Sequence, residues 1–167
     1  GNQAVLSYPL LIGAISVVAS IIGSFFVKVR GKGIMTALYQ GLAISMIITA
    51  IGLYFLTNAI FPMGLNSISS LSIFYSALIG LVITIGMVFI TEYYTSKKFN
   101  PVKTIAKAST TGHGTNVIAG LAVSMKSTLF PILLICAGIL LSYGQAGLYG
   151  IAVSAVSMLS LTGIIVA

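Results

Sequence analysis

Acid is almost missing from this chain. Among 167 residues Glu92 is the single carboxylate, set against eight lysines and arginines. Paired carboxylates for acid–base chemistry are therefore excluded, and so is a divalent-metal shell, which needs several oxygen ligands. Histidine is equally scarce: His113 stands alone, with no second His, Cys or carboxylate at metal-ligand spacing. No Ser/His/Asp constellation of nucleophile and base is present. Cys136, the one cysteine, excludes an internal disulfide and CxxC chemistry, and its apolar run makes it read as a buried, inert thiol.

Charge of either sign is rare as well. Charged residues make up 5% of the chain and hydrophobic ones 58%, whereas an ordinary soluble domain carries about 25% charge. So few charges cannot cover the surface of a water-soluble fold, and the composition implies an integral membrane protein. The net charge of +7 does not point to nucleic acid, because the basic residues sit in short clusters between apolar runs rather than along one face.

What is there is a series of long apolar runs. Residues 9–27, 34–56, 71–91, 117–143 and 148–167 are each uncharged, apart from Lys126 in the fourth. Each is long enough for a helix to cross the hydrocarbon core, which takes about 20 residues. Lipid requires that backbone groups be satisfied within the segment, and the runs lack the alternation of a β-barrel. The expected fold class is all-α, a polytopic transmembrane helix bundle with five spans.

Lys28, Arg30 and Lys32 separate the first two spans; Lys97, Lys98, Lys103 and Lys107 separate the third and fourth. The other two connections, 57–70 and 144–147, are uncharged. The basic connections are expected to face the cytoplasm. The fifth run reaches the last residue without any cap or basic flank, and the first residues are Gly-Asn-Gln. The chain is thus expected to be an internal piece of a larger membrane protein. Small residues four apart, Gly120 with Ser124 and Gly138 with Ser142, suit close helix packing.

Polar chemistry gathers in residues 90–121. Asn100 as N-cap and Pro101 as first helical residue would start a short amphipathic helix over 101–111, with Lys103 and Lys107 on one face. Such a helix can lie on the membrane surface or guide an anion. Gly112-His113-Gly114 then forms either a flexible corner or a small anion nest. Glu92 ends the third span and Lys126 lies within the fourth run. Ionisable groups in spans often mark ion pathways, so an interhelical Glu92–Lys126 pair is one reading. Snorkelling of Glu92 at the interface, with Lys126 carried into water by a long helix, is the other.

The segment Thr91-Glu92-Tyr93-Tyr94-Thr95-Ser96, then Pro101-Val102, then Thr111-Gly112 with Thr115-Asn116-Val117-Ile118 and Gly120-Leu121-Ala122, resembles the membrane-bound, ion-pumping pyrophosphatases. Tyr149-Gly150-Ile151-Ala152-Val153 and Met158-Leu159 extend the likeness, and Tyr8-Pro9-Leu10 begins it. The resemblance implies a homodimer of about sixteen helices per subunit that hydrolyses pyrophosphate with Mg²⁺ on the cytoplasmic side and drives H⁺ or Na⁺ outward. It implies that the present spans are the seventh to eleventh, and that the hydrolytic and Mg²⁺ sites lie in other parts of the protein. Glu92 matches the family's glutamate in EYYT, a candidate for ion conduction or coupling. Lys126 matches a position that is basic in some members and acidic in others. Gly112-His113-Gly114-Thr115-Asn116 is similar to the potassium-independent, proton-pumping bacterial branch. A non-catalytic transporter or channel subunit remains the alternative on composition alone.

Overall fold

The computed structural model describes residues 2–26, 34–62, 68–162 and 165. The basic connection of Lys28, Arg30 and Lys32 lies outside the described residues. Six helices follow one another: α1 Asn2–Phe26, α2 Ile34–Ile60, α3 Ser70–Thr95, α4 Asn100–Ser109, α5 His113–Ser127 and α6 Leu129–Ser160. They contribute to two compact units, Gly1–Thr84 with Gly138–Ala167, and Ile85–Ala137. Four stretches among the described residues are long and apolar enough to cross a membrane: Val5–Phe25, Leu38–Ile60, Ser70–Ser109 and His113–Ser160. Apolar side chains as large as Leu10, Phe25 and Leu148 lie on the outside, which suits lipid or a protein neighbour and not water.

Four such stretches stand where the hydropathy runs lead one to expect five spans, and α6 explains the difference. Its backbone leaves helical geometry at Ala146 (φ −140°, ψ 23°) and Gly147 (φ 60°, ψ −145°), inside the uncharged 144–147 connection. Gly147 has a left-handed φ that costs an L-residue a clash with its Cβ, so glycine suits this turn. The chain reverses there. After the turn, Gly150 lies against Ser76, Gly80 against Ser154, and the Thr84 hydroxyl donates to the Met158 carbonyl at 2.9 Å. Each pair is separated by 74 positions, so this half of α6 runs parallel to α3. Before the turn the order is opposite, with Ile83 against Gly138 and Gly86 against Leu134.

In the first unit, α1 and α2 are antiparallel. A Cβ on Gly52 would meet Ile15 Cγ2 at 2.7 Å, and the Tyr8 hydroxyl lies 2.7 Å from Thr57 Oγ1. Thr57 in turn donates to the Leu53 carbonyl at 2.6 Å, which leaves Tyr8 as the donor to Thr57. Tyr8 and Thr57 are both buried, and Phe61 stacks edge-on to Tyr8 at 5.3 Å. Two other buried hydroxyls bond within their own helix, Thr49 to the Ser45 carbonyl and Ser16 to the Gly13 carbonyl. That keeps a polar residue satisfied inside an apolar helix. The α3–α6 contact is made of small residues. A Cβ on Gly80 would run into the Ser154 carbonyl oxygen, and one on Gly150 into the Ser76 hydroxyl of α3 as well as the Ser142 carbonyl oxygen of α6 itself.

Of the two small-residue pairs singled out by spacing, Gly138 and Ser142 are buried, with Gly138 pressed against Ile83. A Cβ on Gly120 would meet nothing within 4 Å, and Ser124 is exposed. Cys136, expected in a buried setting, is exposed on α6. An apolar run in a membrane helix has an outward as well as an inward face, and hydropathy alone does not separate them.

Candidate functional site

The second unit holds the end of α3, all of α4 and α5, and the start of α6. The α4 helix begins as expected near Pro101, but its N-cap is Phe99, in extended geometry and with no side-chain cap bond. Asn100 is already helical, one position further in than its capping propensity suggests. The helix runs to Ser109 and has no buried residue. It does not stand alone, because α5 packs against it.

The turn between them is held by threonines. Thr115 Oγ1 lies 2.8 Å from Thr111 Oγ1 and 3.2 Å from the Ala108 carbonyl. Gly112 caps α5 at φ 141°, a backbone that disfavours any side chain. His113 opens α5 and is exposed, as is Gly114. The corner expected at Gly112-His113-Gly114 is thus one glycine turn followed directly by helix.

An antiparallel α4–α5 pair fixes the height of Lys126. The Tyr94 hydroxyl, near the end of α3, makes a long 3.4 Å hydrogen bond to the Lys126 carbonyl. That carbonyl sits at the end of α5, where helical partners run out; Pro131 lacks the N–H that would otherwise continue the ladder to Ser127. The thirteen residues from His113 to Lys126, at 1.5 Å each, place His113 about 20 Å further along α5. Lys126 is therefore level with the end of α3.

Glu92 is half-buried on α3 and its carbonyl accepts the Ser96 N–H at 2.8 Å. No ion pair joins Glu92 to Lys126 among the described residues. What comes together instead is a cavity of about 350 Å³. Tyr94 from α3, Asn100 and Thr104 from α4, and Lys126 from α5 supply its polar lining. Tyr93, also on its wall, contacts Phe99 at 5.2 Å between ring centres. Glu92 is not part of it. The sequence marks Asn100 only as a cap and gives no sign of Thr104; periodicity within one element says nothing of a site shared by three.

Nothing in this donor set fits a divalent metal. Among the described residues no three of His, Cys, Asp and Glu gather, and tyrosine, amide and ammonium groups do not make a Mg²⁺ shell.

Long apolar helices, glycine-tight helix contacts, hydroxyls turned back on their own carbonyls and an interfacial tyrosine–lysine end define an integral α-helical membrane protein. The chain belongs to the inorganic H⁺ pyrophosphatase family, whose model matches residues 1–167. It is 49% identical to the K(+)-insensitive pyrophosphate-energized proton pump of Methanosarcina mazei, over 99% of this chain and 25% of that protein. It is 47% identical to pyrophosphate-energized proton pump 2 of Mycoplana dimorpha, over 97% of this chain and 81% of that one. To the putative K(+)-stimulated pyrophosphate-energized sodium pump of Clostridium tetani it is 41% identical, over 99% of this chain and 25% of that protein. The chain thus spans a quarter of the length of the first and third of these relatives.

Proposed function

We propose that these residues are the part of a pyrophosphate-energised proton pump that contains five crossings, near 9–27, 34–56, 71–91, 148–167 and, within the expected 117–143, the stretch that follows Lys126. The observation that supports this reading is the family match over the whole of residues 1–167, together with relatives named as proton pumps. The reversal of α6 at Ala146–Gly147 supports the count of five.

In this reading the whole protein is a homodimer in a bacterial or archaeal cell membrane, hydrolysing pyrophosphate with Mg²⁺ held by residues outside this chain. The basic connections face the cytoplasm, where Lys97, Lys98, Lys103 and Lys107 meet the positive-inside tendency. The surface helix expected over 101–111 is α4, standing against α5 at that face. Protons are the transported ion. Sodium is the competing choice, since one relative is named a sodium pump.

Glu92 is the ion-pathway or coupling candidate, as the single acid of the chain and the last charged group before α3 ends. Ionisable groups in or at the ends of spans are costly and often mark ion pathways. Lys126 is the second candidate; its lack of an acidic partner leaves it an electrostatic role toward anions.

Mg²⁺-dependent release of phosphate from pyrophosphate, measured on membranes containing the full-length protein, tests the enzyme reading. Activity is expected with pyrophosphate and lost with a chelator. A transporter or channel subunit without catalysis would release none.

A further inference from the structure

The cavity at the foot of the α4–α5 pair has a chemistry of its own. Its polar members are Tyr94, Asn100, Thr104 and Lys126, and Ala119, Ala122 and Val123 of α5 make an apolar wall. No acid lines it, and Lys126 has no acidic partner among the described residues. Lys103 and Lys107 are exposed on the same pair of helices. The field at this end is therefore positive.

Its depth is equally defined. Tyr93 and Tyr94 end an apolar helix and are followed by Lys97 and Lys98. Tyrosine rings next to a basic flank mark the headgroup level of a bilayer. The Tyr94–Lys126 contact brings the lysine to that same level.

We propose that this cavity binds the headgroup of an anionic phospholipid. Lys126 would take the phosphodiester charge, with the Asn100 amide and the Thr104 hydroxyl donating to its free oxygens. The alanine–valine wall takes the glycerol and the first methylenes of the acyl chains. A volume of about 350 Å³ is of the size that holds a small organic ligand. A free phosphate or pyrophosphate fits less well, because its remaining charge would lose water against an apolar wall without gaining partners. Basic pockets between membrane helices are suited to anionic headgroups for these reasons. The inference rests on the membrane-spanning reading and is independent of which ion is pumped or whether pyrophosphate is hydrolysed.

The test is native mass spectrometry of the full-length protein released from vesicles of mixed phosphatidylglycerol and phosphatidylcholine. Wild-type protein is expected to retain phosphatidylglycerol in preference to phosphatidylcholine. Lys126→Gln should lower that retention about fivefold, the effect of one basic residue at an anionic surface. Lys126→Arg should keep it, and Lys107→Gln, outside the cavity lining, should change it much less. Ala122→Phe, which fills the cavity without touching charge, should lower retention as Lys126→Gln does, and carries the comparison if that variant does not fold. Equal retention in wild type, Lys126→Gln and Ala122→Phe would overturn the proposal. So would equal retention of phosphatidylcholine, or displacement of the bound species by excess inorganic phosphate, which would make this a site for free anions. Pyrophosphate hydrolysis is not read in this experiment, so its failure and that of the pump reading are told apart.

Discussion

The Tyr149 hydroxyl donates a 3.3 Å hydrogen bond to the Val5 carbonyl, which is the acceptor that Pro9 leaves without a helical partner. Pro9 lies inside α1 and has no N–H to send back four residues. In an apolar medium an orphaned carbonyl is costly, and a side chain from another helix takes the place of the missing donor. Phe61 stands beside both tyrosines, 5.3 Å from Tyr8 and 6.4 Å from Tyr149 between ring centres. The proline that opens the helix ladder thus creates the joint that ties α1 to α6.

Tyr149→Phe is expected to destabilise the full-length protein by about 0.6 kcal/mol, and by no more than about 1.7, as cross-helix hydrogen bonds do in membranes. In a Pro9→Ala background the same change should cost less, because the alanine N–H restores the donor that the helix otherwise lacks. Unfolding in mixed micelles, run on both singles and the double variant, gives the coupling directly. Equal costs in the two backgrounds would separate Tyr149 from Pro9.

Gly80→Ala and Gly150→Ala should each cost roughly 1–3 kcal/mol, the range for overpacking. Their added methyl groups would meet backbone carbonyls, those of Ser154 and Ser142, which cannot rotate aside. Gly13→Ala makes the contrast. Nothing lies within 4 Å of its Cβ position, and alanine is favoured over glycine in a helix by up to about 1 kcal/mol. Thermal unfolding of the three variants should rank them with Gly13→Ala at or above wild type.

At Gly147, where φ is 60°, Gly147→Val should cost about 1–2 kcal/mol from backbone strain alone. Gly147→Asn should cost as much, since at ψ −145° the backbone is far from the left-handed helical region that asparagine tolerates. A neighbouring contact is not involved, as nothing lies within 4 Å of the Cβ position. A valine or asparagine variant as stable as wild type would show that the turn is not set by this dihedral.

Glu92 and Lys126 form no ion pair among the described residues. The stability effects of Glu92→Gln and Lys126→Met are therefore expected to add within about 0.5 kcal/mol. A larger interaction energy from the double-mutant cycle would mean that the two side chains meet in the working protein. As the proposed coupling residue, Glu92→Gln should lower the protons moved per pyrophosphate hydrolysed more than it lowers hydrolysis.

Helix positions were legible because lipid leaves one solution for a long apolar run. The expected 34–56 and 71–91 lie within the helices Ile34–Ile60 and Ser70–Thr95. The turn at Ala146–Gly147 was legible from small and polar residues without charge between two runs. The height of Lys126 was not legible. Residues 117–125 have the hydropathy of a span, yet α5 pairs with α4 over that stretch, and an apolar face toward protein reads the same as one toward lipid. Nor was the Val5–Pro9–Tyr149 joint, since its members are 144 positions apart at the extreme and only the proline has a signal of its own.

The most direct measurement is of pyrophosphate-driven acidification in inverted vesicles that contain the full-length protein, followed with a pH-quenched dye. Addition of pyrophosphate and Mg²⁺ should quench the dye in sodium-free buffer, a protonophore should reverse it, and Glu92→Gln should weaken it while phosphate release continues. Hydrolysis without any pH gradient in the wild type, or a gradient that needs sodium, would contradict the account.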